Sequence, residues 1–294
     1  MITSVPKILN FPKIVDQRGN LTFLQHPDQL PFAMKRAYWI YDVPGGEFRG
    51  GHAFKEQYEI IIAISGSFDV VINEGEQQEV YHLNRSYLGL LIPPGQWRSM
   101  QNFSTNSLAL VLASTTFNAS DYVRSYTDYR MFNYNLHAVP TNSFEVVERT
   151  KPVVDAKKTT VYDCKVLDLD KKHKEKGNIT VVENGVEVPF DINRVYYLYD
   201  VPGGEERGGH GHKDLYQLIV AAGGSFDVVL NDGVNQRTVT LNRPYQGLYI
   251  IPGIWRELNN FSSGSTCLVL ASDTYDVEDY IRDFEEFKQF KNKD

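Results

Sequence analysis

Two histidines one residue apart, His210 and His212, stand between Arg207 and Lys213, and Arg256 follows Trp255 further along the chain. Imidazole, with an ordinary pKa of about 6.5, can take up one proton and return another near neutral pH. In an extended strand, residues two apart share a face, so both rings look into one cavity if that face is the inner one. A guanidinium stays protonated and adds a fixed positive charge. Imidazole and guanidinium together suit acid-base work on an anionic substrate; the alternative is a pair of core or surface histidines. Arg194 and Tyr196 also lie two apart before Asp-Val-Pro-Gly-Gly. Facing inward they would hold phosphate oxygens and stack on or hydrogen-bond a base or sugar, and facing outward they would be a solvated strand surface.

The whole constellation occurs twice. Arg49-Gly50-Gly51-His52 returns as Arg207-Gly208-Gly209-His210, Arg36 and Tyr38 return as Arg194 and Tyr196, and Trp97-Arg98 returns as Trp255-Arg256. The repeats part at one loaded position: His52-Ala53-Phe54-Lys55 against His210-Gly211-His212-Lys213. Phe54 fills with a hydrophobe the place of the second imidazole.

The elements that must position these groups are short strands. Ser67 to Ile72 and Ser225 to Leu230 alternate large and small side chains, and Asn231-Asp232-Gly233 supplies turn residues. Further runs at Ala37 to Tyr41, Tyr58 to Ile64, Leu88 to Ile92 and Leu108 to Ala113, with their counterparts, are rich in β-branched and aromatic residues. Seven or more such strands per repeat predict an all-β protein of two barrels or jelly rolls. A short terminal helix is expected at Asp121-Tyr122-Val123-Arg124 and at Asp279-Tyr280-Ile281-Arg282, extending through Phe284 to Phe290 in the second repeat. The duplication divides the chain into domains 1–135 and 161–294. The linker 136–160 carries Pro140 and Pro152, with one added strand expected at Phe144 to Val147.

At 294 residues the chain is long enough for two cores, and its net charge of -7 shows no basic stripe of the kind that binds nucleic acid. No signal peptide or membrane span is read. The two cysteines, Cys164 and Cys267, do not repeat with the repeat, which points away from a disulfide framework and toward a reducing cytoplasm.

Two sets of spacings carry a first resemblance. Gly204, His210-x-His212, Gln217 and Gly224, with Gly46, His52-x-Phe54, Glu59 and Gly66 before them, have the spacing of the first cupin motif. Pro93-x-Gly95, Arg98 and Asn102, repeated as Ile251-x-Gly253, Arg256 and Asn260, resemble the second. In the cupin family these motifs supply metal ligands inside a small β-barrel. Here arginine stands where the last histidine ligand belongs, and a guanidinium repels a cation, so neither metal nor any other cofactor is expected.

The longer string resembles a narrower group, the metal-free cupin 3,4-ketoisomerases that act on dTDP-linked 4-keto-6-deoxyglucose. It runs from Lys176-Gly177-Asn178-Ile179 through Arg194-Val195-Tyr196-Tyr197, the Arg207 to Lys213 segment, Trp255-Arg256, Asn260-Phe261-Ser262 and Leu270-Ala271-Ser272 to Asp279-Tyr280-Ile281-Arg282. The resemblance implies migration of a ketone from C4 to C3 through an enediol, in the supply of 3-amino-3,6-dideoxy sugars for bacterial surface glycans. It implies His210 and His212 as base and shuttle, and Tyr196 as hydrogen-bonding or proton-donating partner. Arg194, Arg207, Lys213, Tyr216, Trp255 and Arg256 would bind substrate, and His52, Tyr38, Arg36, Arg49 and Arg98 would form a weakened first site. Family members form homodimers by exchanging N-terminal strands, so this chain resembles such a dimer fused into one polypeptide, either standing alone or pairing again through an exposed barrel edge. The competing readings are a 3- or 3,5-epimerase, a non-catalytic sugar-nucleotide-binding module and a metal-dependent dioxygenase.

Overall fold

The computed structural model describes residues 4–74, 77–132 and 151–292. The chain forms two compact units, each with a seven-stranded and a five-stranded antiparallel sheet in the cupin jelly-roll manner. In the second unit the larger sheet runs Lys165–Asp168, Gln246–Ile250, Gln217–Gly223, Thr266–Ala271, Arg194–Tyr199, Gly19–Gln25 and Lys13–Asp16. The smaller runs Gln236–Leu241, Phe226–Asn231, Trp255–Asn259, Arg207–His212 and Tyr280–Ile281. The first unit repeats the order. Its core closes between the faces of both sheets, where Ile61, Ala109 and Val111 meet Phe68, Val70 and Met100. Strict alternation puts these side chains on the inner face, where burying each large one contributes about 1.5–3 kcal/mol.

The units cross the contiguous ranges 1–135 and 161–294 by one hairpin in each direction. Pro12–Leu30 clusters with the second unit and Lys171–Glu183 with the first. The physical reason is an unsatisfied edge. Arg194–Tyr199 has Thr266–Ala271 on one side only, and Gly19–Gln25 pairs its other side in register from Asn20 against Tyr199 to Gln25 against Arg194. Gly177–Glu183 pairs Arg36–Tyr41 in the same way. Without them a row of buried backbone groups would lack partners.

Each repeat ends differently from expectation. Asp279 closes a short 3-10 turn, Val277–Asp279, and Tyr280–Ile281 is an edge strand paired with the histidine strand, Gly211 opposite Ile281 and His212 opposite Tyr280. Ala119–Asp121 and Tyr122–Val123 do the same in the first unit. The α-helices start later, at Tyr126–Phe132 and Phe284–Asn292. Asp283 caps the second by accepting from the Glu286 amide at 2.9 Å. Phe284, Phe287 and Phe290, three apart, turn one stripe onto Trp255 and Ile281. The strand expected at Phe144 to Val147 lies outside the described residues, and 151–160 carries turns and no strand.

Candidate active site

The second-unit site is built around a bulge. Register shifts between Gly208 and His210 where the histidine strand pairs with Trp255–Asn259, which sets His210 opposite Arg256. Gly208 has φ +90°, and a Cβ there would lie 2.7 Å from Arg256 Nη1, so only glycine fits. From the bulge on, His210 and His212 share a face, their rings 4.9 Å apart and nearly perpendicular. Tyr280 packs against both, at 4.9 and 4.4 Å between centroids, and the Arg282 guanidinium lies 4.4 Å over its ring.

Each imidazole has one hydrogen-bonding partner among the described residues. His212 Nδ1 lies 2.6 Å from Asp279 Oδ2; a carboxylate only accepts, so Nδ1 carries the proton. His210 is hydrogen-bonded to the Gly208 backbone. The Nε2 atoms of both rings are buried and have no hydrogen-bond partner among the described residues. Burial, then the Arg256 guanidinium, hold both rings well below the ordinary histidine pKa. The site thus presents two neutral imidazoles whose buried Nε2 atoms have no partner among the described residues.

Beside them is a buried polar triad. Arg256 Nε donates to Gln217 Oε1 at 3.1 Å, Arg256 Nη2 to Tyr196 Oη at 3.1 Å, and Gln217 Nε2 to Tyr196 Oη at 2.8 Å. Arg194 is buried, its guanidinium 5.6 Å from the Tyr196 ring and 5.7 Å from that of Tyr275, and its Nε has no partner among the described residues. Arg207 opens the histidine strand Arg207–His212, its Nη1 donating to the Gly19 carbonyl at 3.4 Å and lying 3.6 Å from Asp16. The exchanged hairpin therefore supplies one wall: Asn20 bonds Asp200, Thr22 bonds Tyr199, and Gln25 Oε1 accepts from the Tyr275 amide.

The first unit has the same scaffold with different chemistry. His52 lies 4.9 Å from Phe54 and 5.0 Å from Tyr122 between ring centroids. Its Nε2 is also without a partner among the described residues, and burial, then Arg98 and Arg124, hold its pKa down to about 2. Arg98 forms a two-pronged pair with the buried Glu59 carboxylate at 2.9 and 2.7 Å, and Tyr38 Oη donates to Glu59 at 2.6 Å. Gln57 joins in, donating to Glu59 at 3.0 Å and accepting from Arg36 at 2.7 Å. Arg49 Nη1 reaches the Gly177 carbonyl at 3.5 Å, mirroring Arg207.

Of the residues expected from sequence, the structure gathers His210, His212, Tyr196, Arg194 and Arg256, with Arg207 at the rim, and His52, Tyr38, Arg36, Arg98 and Arg49 in the first unit. Three others lie elsewhere. Trp255 is on the opposite face of its strand from Arg256; it packs on Phe284 and Phe287 and donates to Glu257 at 2.8 Å. Tyr216 precedes the inward Gln217 and so points outward, onto Phe190 and Tyr249, its hydroxyl donating to the Pro152 carbonyl. Lys213 lies past the strand end and binds the Glu278 carbonyl at 2.5 Å. Sequence reasoning passed over Asp279, Tyr280 and the Gln217/Glu59 pair as functional groups. The signal for the last was present, because both occupy the glutamate place of the first cupin motif. No group of three or more His, Cys, Asp or Glu side chains positioned to hold a metal ion occurs among the described residues, and Arg256 beside the histidines offers only donors.

The family model "FdtA: WxcM-like, C-terminal" matches residues 4–133 and again 162–292. The chain belongs to the FdtA family. Among its relatives is the TDP-4-oxo-6-deoxy-alpha-D-glucose-3,4-oxoisomerase of Aneurinibacillus thermoaerophilus, 43% identical over 126 residues that span 43% of this chain and 91% of that protein. A 3,4-ketoisomerase of Helicobacter canadensis is 46% identical, covering 45% of this chain and 98% of its own, with a TM-score of 0.44. A mutant of the 3,4-ketoisomerase QdtA from Thermoanaerobacterium thermosaccharolyticum, solved with TDP-4-keto-6-deoxyglucose, is 35% identical over 44% of this chain and 94% of its own, with a TM-score of 0.43. Each of these three proteins is matched over nearly its whole length by less than half of this chain. No helix among the described residues is long and apolar enough to cross a membrane.

Proposed function

We propose that this FdtA-family chain moves the ketone of a TDP-linked 4-keto-6-deoxyhexose from C4 to C3, and that the chemistry takes place in the second unit. The observation that carries the reading is the pair of neutral imidazoles, His210 and His212, with unpartnered Nε2 atoms beside Tyr196 and Arg256 in a repeat matched by the family. His212 is the better base for the C3 proton. Asp279 fixes its tautomer and stabilises the imidazolium that forms, as a carboxylate does in any such dyad. The C3–H electron pair becomes the C3–C4 double bond while the C4 carbonyl pair moves onto O4. Tyr196 donates to that oxygen, and Arg256 beside it opposes the developing charge. The His212 imidazolium exchanges its proton with solvent and returns one to C4 as His210 takes the O3 proton and the C3 carbonyl forms; His210 then restores the proton that Tyr196 gave to O4. Electrons and protons thus balance among the sugar, the two rings and the tyrosine, with no external oxidant.

Arg194 and Arg207 bind the diphosphate in this reading. The first unit, with Phe54 in the second histidine's place, is the weakened site. The chain is two fused copies of a one-repeat enzyme, and the hairpins counted with the opposite units support that view. Two free buried cysteines fit a reducing cytoplasm. The test is incubation with TDP-4-keto-6-deoxyglucose in heavy water, followed by NMR. The expected product has its ketone at C3 and solvent deuterium at C4. A ketone that stays at C4 while deuterium enters C3 or C5 would instead identify an epimerase.

A further inference from the structure

The residue that follows the histidine motif differs between the units, Gln217 against Glu59, and it reverses the hydrogen bonding of the neighbouring tyrosine. In the second unit Arg256 is a donor only, so the oxygen of the Gln217 amide must face its Nε and the NH₂ must face Tyr196. Tyr196 Oη then accepts twice, from Gln217 at 2.8 Å and from Arg256 at 3.1 Å. Both lone pairs of the phenol are used, and its own proton remains to give. In the first unit a carboxylate stands in that place. Tyr38 donates its proton to Glu59 at 2.6 Å, and Arg98 is held by the same carboxylate at 2.9 and 2.7 Å. That tyrosine has no proton left for a ligand, and its guanidinium charge is matched within the protein.

We infer that Gln217 is a positioning residue that turns Tyr196 into a proton donor toward substrate, and that Glu59 withdraws Tyr38 from this role in the first unit. The inference rests on the ketoisomerase reading. It also means that Phe54 is only half of what separates the two sites. A histidine placed at Phe54 would face a tyrosine that still donates to Glu59, so the first unit needs two changes to regain chemistry.

Two arms test this, both with TDP-4-keto-6-deoxyglucose and intact chain. In the first, Gln217→Glu makes the second unit's triad like the first's. Because loss of a general acid typically removes about 10²-fold or more, kcat should fall about 10²-fold with KM changed less than about threefold. Tyr196→Phe should fall similarly, and the double variant Gln217→Glu/Tyr196→Phe no further, because the glutamine acts through the tyrosine. In the second arm, His210→Ala/His212→Ala removes the second site. Adding Phe54→His alone should restore little turnover, whereas Phe54→His with Glu59→Gln should restore at least about tenfold more. Gln217→Glu with full kcat, losses that multiply in the double variant, or equal rescue without Glu59→Gln would each overturn the inference. A wild-type chain that leaves the ketone at C4 would instead overturn the ketoisomerase reading, and the two failures are thus distinct.

Discussion

The two sites share a backbone and differ in where their charge ends. In the first unit Arg98 meets a carboxylate, Tyr38 is tied to the same carboxylate and Gln57 bridges on to Arg36, so the Arg98 charge and the Tyr38 proton are both answered from within. In the second, Leu215 and Gln217 replace Gln57 and Glu59, Arg256 meets a neutral amide, and two imidazoles replace one. A closed network stabilises a fold, whereas an incompletely answered one keeps donors and lone pairs for a ligand. Under the proposed function, the duplication separates a site arranged for cohesion from one arranged for chemistry.

The largest expected effect that would break this contrast is on stability. Removing one partner of a buried ion pair leaves an uncompensated charge and typically costs about 3–5 kcal/mol. Arg98→Met should therefore destabilise the first unit by about that much, read in chemical denaturation through Trp39 and Trp97. Arg256→Met strands only neutral groups and should cost about 1–3 kcal/mol in the transition reported by Trp255. Equal losses would mean that Glu59 and Gln217 are electrostatically alike. Next in size is the carboxylate behind the second imidazole. Asp279→Asn should lower kcat about 10²-fold by releasing the His212 tautomer. The counterpart Asp121 accepts from the Lys55 and Glu56 amides and faces no imidazole, so Asp121→Asn should leave kcat unchanged while loosening that turn.

Smaller effects follow from pH. His52 is held down to about 2 in the folded chain, by burial first, while in the unfolded chain it titrates near 6.5. Below about pH 6.5 the unfolded state binds a proton that the folded state refuses, so stability falls with pH by up to about 1.4 kcal/mol per unit from this group, and above that pH it contributes nothing. Replacing His52 with Gln should flatten the acid limb of the first unit's stability. In the second unit His210 and His212 are also held low, so the base is already neutral at mildly acidic pH. The acid limb of kcat/KM should lie below the ordinary histidine range. A limb near 6.5 would show that substrate-free imidazoles are solvated.

Much of this was legible in one dimension. The repeat offset, the strand runs and the two cupin motifs locate both barrels and name His210, His212, Tyr196 and Arg256 as neighbours. What was not legible depends on which edge or face a strand presents. Gly19–Gln25 reads as a strand, yet nothing in its pattern says that it pairs with Arg194–Tyr199 rather than with Arg36–Tyr41. Trp255 and Tyr216 leave the cavity by parity: once Arg256 and Gln217 point inward, their neighbours must point out. Asp279-Tyr280 looked helical because a two-residue edge strand is too short to show alternation, and so the carboxylate behind His212 went unseen. Glu59 and Gln217 were visible as failed metal ligands, and only their hydrogen bonds reveal what they do instead.

The central claim is that turnover belongs to the second unit. It is tested most directly by following ketone position and deuterium incorporation by NMR for His212→Ala and His52→Ala, side by side, with TDP-4-keto-6-deoxyglucose in heavy water. The account predicts a kcat loss of about 10²-fold or more for His212→Ala and less than about twofold for His52→Ala. Turnover that survives His212→Ala and is abolished by His52→Ala would contradict it.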